Sequence, residues 1–411
     1  MTSRAVITSF GIVGPMALDP HQFWDLVRSG QSAIRKIEHF DSSATGCYIA
    51  GMVPEFSLNF IPARFKPKRQ SRHTHLLLKA GQQIRELVPK NGEFDMRIGF
   101  ATSDLAMISD SGAKREREGY ANACPIVMSQ CAPHSASGAL AMYLECRGAI
   151  NTVSTACTSG MDSIGLAARD ITTGTSNFVV AGGADAPVAM SPLAELVRSN
   201  LSTRRSLYPE RSSRPFDAFA DSGIISEAAG LAVVEDAEEA IRAGRQPLCE
   251  IVGHANANDL DPAVPGGGYV QAMRRALDAA GLETDEVDAI FAWGPGHPVL
   301  DRAEAEALEQ VFGSVLPSIP VTSIKGVIGN PLAGAGPLQV AAAAFSLVEG
   351  IVPPTANYEV PLPGINLDIV VGQPLRSRPR NVLLNAHGIG GANVCLILRR
   401  WSNLVDYSSA Q

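Results

Sequence analysis

Cys157 is the residue best placed to do chemistry, in the segment Ser154-Thr-Ala-Cys-Thr-Ser-Gly160. A β-type run precedes it. A helical pattern of Met161, Ile164, Leu166, Ala167 and Ile171 follows. Strand, sharp turn and helix place a thiol at a helix N-terminus, where the dipole favours the thiolate. The unpaired N–H groups of a first helical turn also point at any oxyanion formed there. On this reading the thiol pKa is lowered and thiolate is present near neutral pH. The plainer alternative is a buried structural cysteine among small packing residues. The glycines at 388, 390 and 391 are a second cluster. They lack the strand–turn–long-helix context that pyrophosphate binding needs, so they are not a dinucleotide fingerprint.

The elements that must carry Cys157 occur twice. Arg4–Thr8 reads as a buried strand, and Cys249–Gly253 opens the second half likewise. Amphipathic helices follow, including Gln22–Ser29 and Ala272–Ala280. Each half then runs a short strand into a small-residue turn and a helix. In the first half these are Thr152–Thr155 and Ala156–Thr173; in the second, Ile319–Ser323, a glycine-rich turn and Leu338–Glu349. Each half closes with an apolar strand entering glycines: Phe178–Ala181 with Gly182 and Gly183, and Val382–Ala386 with Gly388. Buried strands alternating with helices imply an α/β protein. The reading is of two related halves, 1–245 and 246–411.

Composition narrows the function. The 411 residues are 45% hydrophobic and 18% charged, enough for a large core, and the net charge is −7. That charge argues against general nucleic-acid binding. No secretory signal opens the chain, and no run is expected to approach the roughly 18 apolar residues of a membrane span. Cys47, Cys124, Cys131, Cys146, Cys157, Cys249 and Cys395 are odd in number and match no zinc spacing. Reduced thiols in the cytoplasm and no metal are expected. Arg64–Arg72 is the densest basic run, read as a solvated loop or a docking patch for an acidic partner; Arg204, Arg205, Arg211 and Arg214 form a second basic segment.

Over nearly its whole length the sequence resembles the elongating β-ketoacyl synthases of fatty-acid and polyketide pathways. The matching pieces are STACTSG around Cys157, VVAGGADA at 179–186, SRPFDAFAD at 213–221, DRAEAEAL at 301–308, TSIKGVIGNPLAGAG at 322–336, VPPTANYE at 352–359 and HGIGGAN at 387–393. The resemblance implies the thiolase fold, a five-layer αβαβα arrangement of two pseudo-symmetric halves. It also implies a homodimer or a heterodimer with another ketosynthase, and an acyl carrier protein as partner. The carrier's phosphopantetheine arm would enter with the substrate, and no cofactor of the protein's own is implied.

The same resemblance assigns roles. Cys157 would accept an acyl chain, and two histidines would assist malonyl decarboxylation. Here Trp293 stands at the first histidine and Asn330 at the second, five residues past the retained Lys325. Glu304 is the retained supporting acid. Ile389 replaces a gating Phe in the oxyanion loop, and His387 replaces another Phe before it. His297, Pro295, Gly388 and Gly390 would contact substrate, His297 where the family has a pantetheine-contacting Thr. Ala220 and Ser222 replace the usual Arg and Gly of a further segment, in which Asp217, Asp221 and Glu227 remain. An Asn at the second position occurs in related synthases that keep the first His, so Trp293 is the harsher change. Its indole N–H and the Asn330 amide can donate hydrogen bonds, but neither is an acid or base near pH 7. Spacing supports neither His297 nor His387 as a substitute, and both read as packing or surface histidines.

Three functions fit these residues. One is an acyltransferase that loads Cys157 from a carrier protein and passes the chain to another nucleophile. Another is a partner subunit resembling chain-length factors, although those generally lack the cysteine. The third is a condensing enzyme with an atypical Cys-Trp-Asn site.

Overall fold

The computed structural model describes residues 3–102, 104–204 and 207–402. Eleven strands form its main sheet: β1 Ala5–Val13, β2 Asp95–Gly99, β3 Ile150–Val153, β4 Phe178–Asp185, β5 Ala228–Asp236, β6 Cys249–Asn258, β7 Ala289–Phe291, β8 Pro320–Thr322, β9 Asp368–Ile369, β10 Asn381–Gly388 and β11 Ala392–Arg400. Their order is β9-β8-β7-β10-β11-β6-β1-β5-β4-β2-β3. The first half thus contributes β3-β2-β4-β5-β1, and the second a matching five, β8-β7-β10-β11-β6, with β9 added outside β8. Both follow one scheme, with the fourth strand antiparallel to the fifth and the second parallel to its two neighbours. We place the division between the halves near residue 245. A short antiparallel seam joins them, with Val6 opposite Glu250 and Ile7 opposite Cys249.

Six helices complete five layers: α1 Arg72–Ile84, α2 His134–Leu144, α3 Ser159–Thr172, α4 Gly267–Ala280, α5 Pro298–Phe312 and α6 Ala335–Glu349. α1 and α2 cover the outer face of the first half's strands, the first sheet of the layered pair, and α4 the outer face of the second half's strands, the second sheet, with α5 packed on it. α3 and α6 lie between the two sheets. Strands covered on both faces must be apolar throughout, and β4, β5 and β10 are buried at every residue. The middle helices meet through glycine. A Cβ on Gly160 would come 2.2 Å from the Ala333 carbonyl oxygen, and one on Gly336 2.4 Å from the Met161 nitrogen.

Several expected bounds shift for local reasons. The strand expected over 152–155 is β3, ending at Val153, the last residue paired with β2. The helix expected from Ala156 begins at Ser159, because Ala156 is left-handed (φ 57°). The helix expected from Leu338 starts three residues earlier, with Pro337 in its first turn, where a missing N–H costs nothing. The Arg64–Arg72 loop is two short 3₁₀ turns, Ala63–Phe65 and Pro67–Arg69, before α1. The expectation of no membrane-length apolar run is corrected by Leu332–Glu349, which is long and apolar enough by composition. It is 83% buried, so its composition is that of a core helix between two sheets.

Candidate active site

Cys157 sits between β3 and α3, 4% exposed. Its turn is built by local hydrogen bonds. The Thr155 N–H donates to Ser159 Oγ at 2.8 Å, and Ser159 Oγ reaches the Phe100 carbonyl at 3.1 Å. The end of β10 closes over this turn. A Cβ on Gly388 would lie 3.0 Å from Ala156 Cβ and 3.1 Å from the Cys157 nitrogen. The neighbouring Ile389 has 59% of its surface exposed, and its backbone and that of Cys157 itself favour the charged form of the sulfur.

The electrostatics of the thiol differ from expectation. Burial pushes it up to about 12, and the nearby Asp185 adds to the rise. The Ile389 and Cys157 backbone and the Lys325 charge pull the other way without prevailing. The expected lowering by a helix terminus fails because Cys157 precedes α3 by two residues and is stripped of water. Desolvation outweighs a dipole whose effect fades within one turn. At neutral pH the resting group is the thiol. Asp185 was not foreseen. It accepts from the Ala101 and Thr102 N–H groups at 3.0 and 3.1 Å and from Ala333 N–H at 2.8 Å, tying three segments together beneath the cysteine. Burial pushes its own carboxyl up to about 6.

Opposite lies the loop after β7. Glu304 on α5 accepts from the Trp293 and Gly294 N–H groups, both at 2.8 Å, and from Asn385 Nδ2 at 3.2 Å. Asp301, one turn earlier, accepts from Gly296 N–H at 3.1 Å and Phe216 N–H at 2.7 Å. Two carboxylates three residues apart share one helix face and hold the loop in the conformation that Gly294 (φ 33°) and Gly296 (φ 81°) permit. Burial raises both, Asp301 to about 8. Glu304 thus acts on the backbone that carries Trp293.

Trp293 is buried, and its Nε1 has no hydrogen-bond partner. Lys325 Nζ lies 5.3 Å from its ring centroid, a cation–π contact. Lys325 is 1% exposed and its ammonium has no hydrogen-bond partner; burial pulls it down to about 8 despite the Glu304 and Cys157 charges. Asn330 is fixed by its backbone, with its N–H donating to Ile224 O at 2.7 Å and its carbonyl accepting from Ser226 N–H at 3.2 Å. Its side-chain oxygen is buried without a partner. The His387 ring meets Trp293 edge-on at 5.3 Å and stacks on Tyr269, also at 5.3 Å. Tyr269 on α4 is a member that the sequence did not announce.

His297 caps α5, its Nδ1 accepting from Val299 N–H at 3.3 Å while Nε2 faces Asn200 Nδ2 at 3.3 Å. The Pro295 carbonyl faces Gly223, and Gly390 (φ 91°) makes the β10–β11 turn. In the second basic segment Arg214 is paired with Asp217 and Glu359, and Arg211 with Glu359; Arg205 lies outside the described residues.

Residues 2–240 match the beta-ketoacyl synthase N-terminal domain and residues 248–359 its C-terminal domain. The chain is 30% identical to a 3-oxoacyl-[acyl-carrier-protein] synthase 2 of Synechocystis sp., covering 97% of this chain and 98% of the relative. It is also 30% identical to the tetracenomycin polyketide synthase ketoacyl synthase alpha subunit of Streptomyces glaucescens, with 97% of each covered. Among solved structures, the ishigamide ketosynthase/chain length factor superposes with a TM-score of 0.90 at 25% identity, covering 98% of this chain and all of that one. A beta-ketoacyl synthase from Burkholderia phymatum gives 0.88 at 24% identity, covering 97% of this chain and all of that one. With both domains matched in order and the thiolase fold shared, this chain belongs to the β-ketoacyl synthase family.

Proposed function

We propose that this chain is a ketosynthase-like acyltransferase of fatty-acid or polyketide biosynthesis. Cys157 takes an acyl chain from an acyl carrier protein and passes it to a second nucleophile, with decarboxylative condensation impaired. The observation that carries this reading is the pairing of a closed Cys157–Ile389 backbone site with an indole at the position of the first histidine. In the loading step Cys157 sulfur attacks the thioester carbonyl, and the Cys157 and Ile389 backbone stabilises the oxyanion. The carbon–sulfur bond to the pantetheine breaks, leaving an acyl-thioester on Cys157 and a free carrier thiol. Decarboxylation would also need donors and a proton at an enolate, and Trp293 and Asn330 offer hydrogen bonds without acid–base capacity. Exposed Arg64, Lys66, Lys68 and Arg69 supply a positive surface for an acidic carrier. Seven free cysteines support a reducing, cytoplasmic setting.

Intact-protein mass spectrometry after incubation with acyl-loaded carrier protein tests the reading. The wild type is expected to gain one acyl mass and Cys157→Ala none. No adduct on the wild type, or one that survives Cys157→Ala, overturns it.

A second reading is a partner subunit that shapes the tunnel of an active ketosynthase. The likeness to a ketosynthase/chain length factor favours it, as does the position of β3 at the edge of the sheet among the described residues, where Ile150 is exposed. Co-expression with a neighbouring ketosynthase decides: a stable heterodimer whose activity ignores loss of Cys157 supports this reading over the first.

A further inference from the structure

One wall of the site is shut. Trp293 Nε1, Lys325 Nζ and Asn330 Oδ1 each show less than 1 Å² of surface, too little for a water molecule to touch, and none has a hydrogen-bond partner among the described residues. Lys325 packs against the Trp293 ring with Nζ 5.3 Å from the centroid, and the His387 ring meets it edge-on at 5.3 Å. A second substrate steered by hydrogen bonds to this wall has nowhere to stand. Access lies on the other side, where the end of β10 meets the Cys157 turn. Gly388 abuts Ala156 and the Cys157 nitrogen there, and the next residue, Ile389, is 59% exposed. The titratable side chains are also committed. Asp185 accepts from Ala101 N–H, Ala333 N–H and both the N–H and Oγ1 of Thr102. Glu304 holds the Trp293 and Gly294 N–H groups and Asn385. The His387 ring is packed among Asn393, Tyr269 and Trp293. An acceptor therefore comes in past Ile389, along the path of the donor's arm, and brings its own ionised nucleophile. An amine at pH 7 is a cation and an alcohol is neutral, and each needs a base to attack. A thiol of pKa about 8.5 is already a few per cent thiolate at pH 7 and strongly nucleophilic.

We propose that the second nucleophile is a thiol, and that the chain moves acyl groups from the phosphopantetheine thiol of one carrier protein to that of another, both entering past Ile389. This rests on the reading of Cys157 as an acyl acceptor and names the acceptor which that reading leaves open. In loading, Cys157 gives its proton to water and its sulfur bonds to the acyl carbon. The bond from that carbon to the first pantetheine sulfur breaks, and the departing sulfur takes up a proton. In unloading, the thiolate of the second pantetheine bonds to the acyl carbon, and the Cys157 sulfur leaves and is reprotonated. Each step exchanges one thioester for another, so no carbon dioxide is lost and no net proton is consumed. The two thioesters are alike in energy, and the relative amounts of the two carriers set the direction. Trp293 gains a role in this scheme: its closed wall keeps water from the acyl-thioester between the two steps.

Two carrier proteins of different mass test it, one acyl-loaded and one with a free pantetheine thiol, incubated in equal amounts with the wild type. The acyl group should divide evenly between them, and much faster than with Cys157→Ala, which sets the uncatalysed rate. A second carrier whose arm ends in an amine or a hydroxyl should accept at least about 100-fold more slowly, the scale of an absent general base. Initial rates should give the parallel reciprocal lines of a ping-pong mechanism, with the free-thiol carrier competing against the acyl carrier for one mouth. Without an acceptor, the Cys157 adduct should persist in the wild type and hydrolyse severalfold faster in Trp293→Ala. If Trp293→Ala does not fold, the comparison of thiol, amine and hydroxyl arms on the wild type decides alone. An amine or hydroxyl arm that accepts as fast as the thiol, or an unchanged adduct lifetime in a folded Trp293→Ala, overturns the proposal. An adduct that no thiol carrier removes sinks this proposal alone, whereas no adduct on Cys157 sinks the acyl-acceptor reading beneath it.

Discussion

Burial decides what Cys157 is at rest, and that could not be read from its neighbours in sequence. The STACTSG pattern announces the turn, but desolvation depends on β10 closing over it from more than 200 residues away. Trp293 and Asn330 were visible as replacements, whereas the contacts of Trp293 with His387 and Lys325 required the fold. Restoring both histidines tests how much chemistry they cost. Trp293→His with Asn330→His should raise CO₂ release from labelled malonyl-carrier protein by about 10²–10³-fold, the scale of one restored oxyanion donor. An unchanged rate would place the defect elsewhere. Lys325 offers a stability test. Its folded value near 8 is below the 10.5 of a free lysine, so between those values the unfolded chain binds more protons and stability rises with pH. Below pH 8 the buried charge costs about 3 kcal/mol. Lys325→Met should therefore be the more stable protein at pH 7 by denaturant unfolding, with its advantage shrinking as pH rises from 8 to 10.5.

At the level of elements, the sequence placed strands and helices well wherever apolar runs were continuous. It misplaced the start of α3, because Ala156 is left-handed and the helix begins at Ser159, while the ends at Ser29, Ala280 and Glu349, each followed by a left-handed glycine, fall where it put them. Tyr269 was missed because a lone Tyr in an amphipathic helix gives no signal of the strand end it will cover. The approach of α3 and α6 through glycine is a stronger constraint than the pattern suggested. Gly336→Ala would drive a methyl against the Met161 backbone, and the cost should be about 1–3 kcal/mol, visible as a lower urea midpoint. At the end of β10, Gly388→Ala is tight but not impossible at 3.0–3.1 Å. It should slow acylation of Cys157 roughly tenfold or more through the displaced Ile389 N–H, while thermal stability moves little.

For the whole molecule, the net charge of −7 opposes an acidic partner everywhere except at local basic patches. Arg64, Lys66, Lys68 and Arg69 stand exposed around the turns before α1. Reversing Arg64, Lys66 and Arg69 to Glu should raise the KM for carrier protein about tenfold with kcat unchanged, and the wild-type value should climb with ionic strength. The twofold repeat of strand order was legible because each half repeats strand, small-residue turn and helix. The seam between the halves was not, because two residue pairs leave no pattern. That seam also bears on how the chain comes into being. β1 leaves the ribosome well before its partners β5 and β6, which begin at residues 228 and 249. At about 5–20 residues per second, the first strand waits on the order of ten to fifty seconds with both edges bare. Such a strand, apolar along most of its length, is a template for pairing with other nascent chains. The strand that unites the finished protein is thus its greatest hazard during synthesis, and folding yield should depend on chaperones more than native stability suggests.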